Sequence, residues 1–384
     1  MPSNLRNYKY RLYPTALQEG RLSETLNASR WLYNYFLNQN IESKEDMQFA
    51  LTELKEQEGW LRNYHSKMLQ MVVHKIDASR KALYALRSNG HKIGKLHFVK
   101  RDDYNSFTYN QSGFKVERHD NTDLLWLSKI GYVEIRLSRK PFNIKQVTVK
   151  RSCCKWYVVV ACEFAKPIFK LVSPEKSVGI DIGITKFAHD SDNNSVDNPL
   201  FLKEMLKPLC RASRRLSRRQ KGSKNREKAR TRLQILHERI RNKRNDFLHK
   251  VSTEYSKRYD MIFLERLQMS NMVKNHHLAR SILDSGWGTF KNMLQYKAKM
   301  VVEVSPHHTS VDCSRCGNKV PKTLAVRTHR CDRCGLVTGR DHNASLNIKR
   351  RGLMMLPKEF REVTAVEIQH GSVKQQESSG LVQR

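Results

Sequence analysis

The stretch from Cys313 to Ser345, CSRCGNKVPKTLAVRTHRCDRCGLVTGRDHNAS, constrains this chain more than any other. Two Cys-x-x-Cys pairs, Cys313/Cys316 and Cys331/Cys334, enclose fourteen residues. Four thiolates so arranged suit a tetrahedral zinc site. Gly317 and Gly335 each follow the second cysteine of a pair, where the chain must turn tightly. The competing reading is four unrelated buried thiols. Four protein ligands leave no open coordination position, so the expected Zn²⁺ is structural rather than catalytic. Seven residues beyond the last cysteine stands Asp341, which places a carboxylate beside the metal ribbon.

Two other acids share a setting with Asp341. Asp181 ends the apolar run SVGI, and Glu265 ends YDMIFL; both runs read as strands, and Asp341 opens a helix. Strand ends lie at the rim of a sheet, where the three carboxylates can converge. Converging carboxylates are costly unless cations neutralise them, and hard oxygen donors suit Mg²⁺. Two such ions can activate a water and stabilise a leaving oxygen in phosphodiester hydrolysis. Each acid also has a plainer reading. Asp341 could be a helix N-cap, and Glu265 could pair with Arg266. Asp190, Asp192 and Asp197 fall in turn-like sequence and are expected to serve turns.

Charge narrows the partner. Lys plus Arg is 71 and Asp plus Glu is 37, a formal net charge of +34, which calls for a polyanion. Nucleic acid fits better than a membrane surface, because no basic amphipathic helix carries a bulky apolar face. Arg211–Lys250 holds sixteen basic residues against three acids. A solvated charged helix usually interleaves acids at i,i+4. Here a helix pair would lay out rows of cations, with Arg214, Arg215, Arg218, Arg219, Arg241, Lys243 and Arg244 as the expected phosphate contacts. The N-terminus lacks the apolar core of a signal peptide, and runs such as Trp156–Cys162 are too short to span a bilayer. A cytoplasmic or nuclear location with reduced thiols is expected. The remaining cysteines, Cys153, Cys154, Cys162 and Cys210, have no ligand spacing; the first three lie in or beside strand patterns and read as core or turn residues.

Periodicity orders the rest. Residues 5–13 alternate as a strand that Pro14 stops, and Thr15 with Gln18 forms a capping box that opens a helix towards Asn40. Helical spacing continues over 43–90, broken near Gly59 and at Ser88–Gly90. From about residue 95 the period falls to two, with strands at Ser106–Tyr109, Leu124–Leu127, Tyr132–Leu137, Ile144–Lys150 and Lys155–Glu163, the last two as a hairpin. Residues 170–177 read as a linker. Residues 203–256 and Leu278–Met300 read as helical, Val301–Val304 as a strand, and Asn343–Arg351 as a helix. From residue 352 onwards periodicity fades and a poorly ordered tail is expected.

The motifs RLYP (11–14), GIDIGI (179–184), RNKRNDFLHK (241–250), FLERL (263–267), DSGWGTF (284–290), the cysteine quartet and GRDHNAS (339–345) together resemble the TnpB family. These are RNA-guided DNA endonucleases encoded by bacterial and archaeal insertion sequences and related to type V CRISPR effectors. The resemblance spans nearly the whole chain. It implies an α+β multidomain fold: an RNase H-like RuvC nuclease domain with an inserted zinc ribbon, plus a β-barrel wedge domain with an inserted helical recognition domain. Laid on the chain, it gives a first wedge strand (1–14), recognition domain (15–94), wedge barrel (95–170) and RuvC-like nuclease (171–304) with a basic helical insertion (203–256). The zinc ribbon (305–338), the nuclease end (339–351) and a disordered tail (352–384) follow. It also implies that Asp181, Glu265 and Asp341 bind Mg²⁺ and cut DNA. A guide RNA from the element's end would pair with one strand of double-stranded target DNA, with one protein per RNA, while the protein reads a short adjacent motif. Gln70, Tyr109 and Asn110 match positions tied to that reading; packing or turn roles are the alternative. The resemblance places the protein in a bacterial or archaeal cytoplasm, associated with the nucleoid. All three acids are present, so nothing points to the nuclease-dead relatives that act as RNA-guided repressors. A zinc-ribbon protein binding nucleic acid nonspecifically is the remaining alternative.

Overall fold

The computed structural model describes residues 5–39, 41–101, 103–164, 172–323 and 325–357. The chain divides into two compact units, Met1–Ile168 and Phe169–Arg384.

The first unit threads three helices between its first and second strands. Strand β1 (Leu5–Tyr13) is followed by α1 (Ala16–Asn38), α2 (Lys44–Gln57), a 3₁₀ turn (Gly59–Asn63) and α3 (Ser66–Ser88). The capping box forms: the Gln18 N–H donates to Thr15 Oγ1 at 3.4 Å and the Thr15 N–H donates to Gln18 Oε1 at 3.0 Å. Six strands follow: β2 (Ser106–Asn110), β3 (Phe114–His119), β4 (Thr122–Leu127), β5 (Gly131–Arg136), β6 (Ile144–Ser152) and β7 (Lys155–Glu163). Strand β3 lies outside the strands expected from the sequence; FKVERH alternates only over its first four residues and buries no side chain fully.

These strands form one antiparallel seven-stranded sheet in the order β2-β6-β7-β1-β5-β4-β3. Flat, it would be roughly 29 Å wide at about 4.8 Å per strand. Yet its two edges, β2 and β3, are joined by Gln111–Gly113 alone, a reach of at most about 14 Å. The sheet must therefore curl until its edges approach, although no β2–β3 ladder closes it among the described residues. Alternate residues of β7 (Trp156, Val158, Val160 and Cys162) fill the inside with Val147 and Val149, and share one core with Leu22, Leu32, Phe36, Leu69 and Ile76 of the helices. Cys153 and Cys154 form the β6–β7 turn, both with positive φ (46° and 60°).

The second unit is built on a five-stranded sheet. Its strands are β8 (Ser177–Ile182), β9 (Lys186–Asp190), β10 (Ser195–Asp197), β11 (Met261–Glu265) and β12 (Met300–Val304), in the order β10-β9-β8-β11-β12. Strands β8, β11 and β12 run parallel, while β9 runs antiparallel to both its neighbours, β8 and β10. Between β10 and β11 lie α4 (Phe201–Ser217) and the 35-residue α5 (Lys224–Arg258), so the predicted helical run is broken at 218–223. Then come α6 (Met269–Met272), α7 (His276–Ser285) and α8 (Trp287–Lys297). The single helix expected over 278–300 is two, because Gly286 takes φ of +69° and ends α7. Two short strands, β13 (Thr328–Arg330) and β14 (Val337–Gly339), pair in the cysteine segment, and α9 runs Arg340–Met354.

Strand β11 is buried on both faces, as a central parallel strand should be. Ile262 and Leu264 face Leu248, Val251 and Phe290, while Met261 and Phe263 face Ile348 and Leu356. This corrects the expected tail: helix α9 continues to Met354 and Leu356 is buried. Beyond residue 357 the tail lies outside the described residues, as do residues 170 and 171 of the expected linker.

Candidate active site and metal centre

Strand period and register bring the three acids together. In the parallel ladder Gly179 pairs with Phe263 and Ile180 with Leu264, so Asp181 and Glu265 come next on adjacent strands. Counting by two, Asp181 lies on the face of Gly179, and Glu265 on the face of Met261 and Phe263. That is the face covered by α9. Two glycines let α9 lie close. A Cβ on Gly179 would meet the Ser345 carbonyl oxygen at 2.3 Å and the Lys349 nitrogen at 2.5 Å. One on Gly352 would meet the Phe263 ring at 2.0 Å. With its axis pinned at both points, α9 sets Asp341 in its own first turn. Gly339, not Asp341, is the N-cap residue, which removes the plain capping role.

All three acids are half-buried. Burial pushes the Asp181 carboxyl well above its ordinary value, and the Glu265 and Asp341 carboxylates push it further while Arg340 opposes them. Glu265 is raised by burial, against a Thr309 hydrogen bond and the Arg351 charge. The Thr309 hydroxyl donates to Glu265 Oε1 at 2.5 Å. His189 stands directly across the ladder from Asp181, and its ring lies 5.6 Å from that of His342. Sequence alone gave no signal for Thr309, His189 or the two packing glycines; only strand register and helix contact bring them in. Asp190 serves the β9–β10 turn as expected, accepting from the N–H groups of Asp192 (3.0 Å) and Asn194 (2.8 Å).

The cysteines form a tighter cluster. All four Sγ atoms lie within 4.8 Å of one another, and Cys313–Cys334 and Cys316–Cys331 are each 3.6 Å apart. A zinc tetrahedron with Zn–S near 2.3 Å requires sulfurs about 3.8 Å apart, so the quartet fits the ion. Each pair sits in the same turn. The Gly317 N–H donates to the Cys313 carbonyl and the Gly335 N–H to the Cys331 carbonyl, both at 2.9 Å, with φ of +75° and +71°. Among the described residues, this quartet is the group of potential ligands close enough to grip one ion as it stands.

The expected nucleic-acid contacts divide. Arg214, Arg215, Arg218, Arg219 and Arg241 are exposed. Between α4 and α5 a groove is lined by Arg211, Arg215, Arg232 and Arg239. Lys243 is exposed but lies 3.8 Å from Glu204. Arg244 is a correction: it is half-buried and its Nη2 pairs with Asp284, which also accepts the Leu202 N–H at 2.9 Å. Its charge is spent inside the fold, locking α4, α5 and α7 together. In the first unit Gln70 is exposed on α3 and Asn110 is half-buried at the end of β2. Tyr109 is a second correction. It is 1% exposed, and its hydroxyl donates to the Ser128 carbonyl at 2.8 Å, so it is a core residue and presents nothing to a ligand.

Comparison with known proteins agrees with this architecture. A family model described as "Probable transposase" matches residues 160–276, one described as "Cas12f1-like, TNB domain" matches 287–348, and a "Helix-turn-helix domain" matches 1–46. The chain is 31% identical over 412 residues to the Escherichia coli K12 protein named "Putative RNA-guided DNA endonuclease InsQ", covering 99% of this chain and 98% of the relative. It is 33% identical to a Streptomyces pristinaespiralis protein named "Putative RNA-guided DNA endonuclease", covering 91% and 89%. A Methanocaldococcus jannaschii protein named TnpB-like is 34% identical over 123 residues, 31% of this chain and 58% of that protein. Among solved structures, Cas12f1 in a cryo-EM complex with guide RNA and target DNA shares the fold, with a TM-score of 0.57 at 17% identity over 87% of this chain and 81% of that one. The chain belongs to the TnpB family.

Proposed function

We propose that this protein is an RNA-guided DNA endonuclease of an insertion sequence, cutting target DNA beside a short adjacent motif. The observation that carries the reading is the arrangement of Asp181, Glu265 and Asp341, which strand register and α9 bring to one face of the β8–β11 rim. The strand order β10-β9-β8-β11-β12 suits an RNase H-like nuclease of the RuvC type. Three half-buried carboxylates form a hard-oxygen set that fits Mg²⁺. When bound, the metal would polarise a water and stabilise the leaving oxygen of the phosphodiester. Asp181, Glu265 and Asp341 would hold that charge, and must be ionised to do so. The cysteine quartet, as a zinc ribbon, closes the loop that delivers Asp341.

The guide RNA carries sequence by pairing with the target strand, and the chain's cations hold the backbones. Gln70 and Asn110 remain the motif-reading candidates. The exposed arginines of α4 and α5 are the phosphate contacts in this scheme, with one protein per RNA, working on the nucleoid in a bacterial or archaeal cytoplasm. No described helix is long and apolar enough to cross a membrane.

The test uses purified protein with its guide RNA, a matched plasmid and Mg²⁺. The wild type cuts the plasmid. Asp181→Ala binds the matched target and leaves it intact. Cutting by Asp181→Ala at the wild-type rate removes the active-site assignment. Target binding without cutting by the wild type, under every divalent ion tried, would make the protein a guided repressor instead.

A further inference from the structure

We propose that Thr309 is a positioning residue for the nuclease centre, fixing Glu265 in the orientation that holds a divalent cation. The inference rests on the reading of Asp181, Glu265 and Asp341 as the metal-holding set.

Thr309 is 4% exposed, and its hydroxyl oxygen lies 2.5 Å from Glu265 Oε1 and 3.2 Å from the Pro306 carbonyl oxygen. A hydroxyl has one proton to give. The carboxylate is both nearer and the stronger acceptor, so the proton goes to Glu265. Glu265 ends its strand, and beyond it the Arg266 N–H bonds to the Val304 carbonyl at 2.8 Å, so the backbone beneath is fixed. The long glutamate side chain is not fixed by backbone alone. Anchoring one carboxyl oxygen sets the direction of the other.

Thr309 is itself held from α9. Asn343, Asn347 and Arg351, spaced by four, lie along one helix face. Asn347 Nδ2 donates to the Thr309 carbonyl at 2.9 Å and the Asp312 carbonyl at 2.7 Å. Asn343 Nδ2 donates to the Asp312 carbonyl at 2.8 Å, and Asn343 Oδ1 accepts the Ser314 N–H at 2.9 Å. Arg351 donates to the Ser305 carbonyl at 3.2 Å and pairs with Asp312 at 2.8 Å. Both asparagines are fully buried. The segment from Ser305 to Ser314 is thereby clamped along the helix whose first turn carries Asp341. One clamp sets two of the three acids: Asp341 through the helix, and Glu265 through Thr309. Such outer partners of metal-ligating carboxylates are worth about 10–100-fold in metal affinity.

The experiment compares wild type, Thr309→Val, Thr309→Ser and Asp181→Ala, each with its zinc content verified and loaded with guide RNA. Mn²⁺ binding is read by electron paramagnetic resonance, and the Mg²⁺ needed for half-maximal cleavage is measured separately. Thr309→Val, which keeps the shape and removes the donor, weakens Mn²⁺ binding and raises the Mg²⁺ requirement by about 10–100-fold. Zinc content and target binding stay at wild-type values, and Thr309→Ser restores both metal readouts. Wild-type Mn²⁺ affinity in Thr309→Val, with Asp181→Ala inactive, overturns the inference and leaves the nuclease reading standing. Failure of Thr309→Ser to restore Mn²⁺ binding overturns it as well. Cleavage by Asp181→Ala at the wild-type rate sinks the active-site reading and this inference with it.

Discussion

Asp181 carries the cost of the site. Burial, then the Glu265 and Asp341 charges, hold its carboxyl above the usual range, and burial raises Glu265 too. The sign follows from linkage. A carboxyl raised in the fold contributes its stability below the unfolded value, near pH 4, and that contribution is lost as pH climbs through the raised folded value. Without added magnesium and with zinc retained, Asp181→Asn therefore melts higher than wild type at neutral pH. The gap closes as pH falls towards about 4. Equal melting temperatures at neutral pH would contradict the burial-and-repulsion account. Single residues were also where sequence reading was weakest. Arg244 reads like its neighbours in the basic run, and Tyr109 is singled out by the resemblance alone, with packing as the alternative. Only the fold reveals that Asp284 takes the charge of one and the Ser128 carbonyl the hydroxyl of the other. The cysteines were legible because their spacing is local: each knuckle closes within five residues, Cys313 to Gly317 and Cys331 to Gly335.

At the scale of elements, helix α9 and strands β8 and β11 carry the three candidate acids, and glycines set their separation. Gly179→Ala would drive a Cβ into the Ser345 carbonyl oxygen and Lys349 nitrogen, backbone atoms that cannot swing aside. Overpacking of this kind costs about 1–3 kcal/mol. Calorimetry should show a lower melting temperature for this unit, and cleavage should fall more than target binding because Asp341 moves with α9. Gly59→Ala, with nothing within 4 Å of the added carbon, is the neutral control. A Gly179→Ala protein as stable as that control would mean α9 has room to shift. Cys313→Ser acts on the neighbouring element. It should lower zinc content and melting temperature together, since structural zinc contributes folding free energy; a full melting temperature without zinc would remove the ribbon's structural role. The strands were legible through period two, and the helices through capping and 3.6-residue spacing. The convergence of the acids was not, because register between β8 and β11 is set across 84 positions of sequence by packing on both faces. The break at Gly286 escaped for the opposite reason: apolar spacing continues through it while the backbone does not.

Across the whole molecule the dominant quantity is a net charge of +34. Polyelectrolyte binding makes that charge measurable, because each phosphate neutralised releases counterions and steepens the fall of affinity with salt. What matters is how many cations are free to act. Arg214, Arg215, Arg218 and Arg219 stand exposed on or just beyond the end of α4. Arg244, about four turns from the end of α5, is paired to Asp284. Replacing the four exposed arginines by alanine should reduce the slope of log affinity against log salt by up to about 3.6, at 0.7–0.9 per phosphate contact. Guide RNA titrated across a KCl series reads it directly. Arg244→Ala removes the same kind of charge from the same helical insertion. It should leave the slope unchanged and instead lower the melting temperature, since it strands the buried Asp284 carboxylate without its cation. Opposite outcomes for the two variants, with a flatter slope for Arg244→Ala and none for the quadruple substitution, would place the nucleic-acid face elsewhere on the chain.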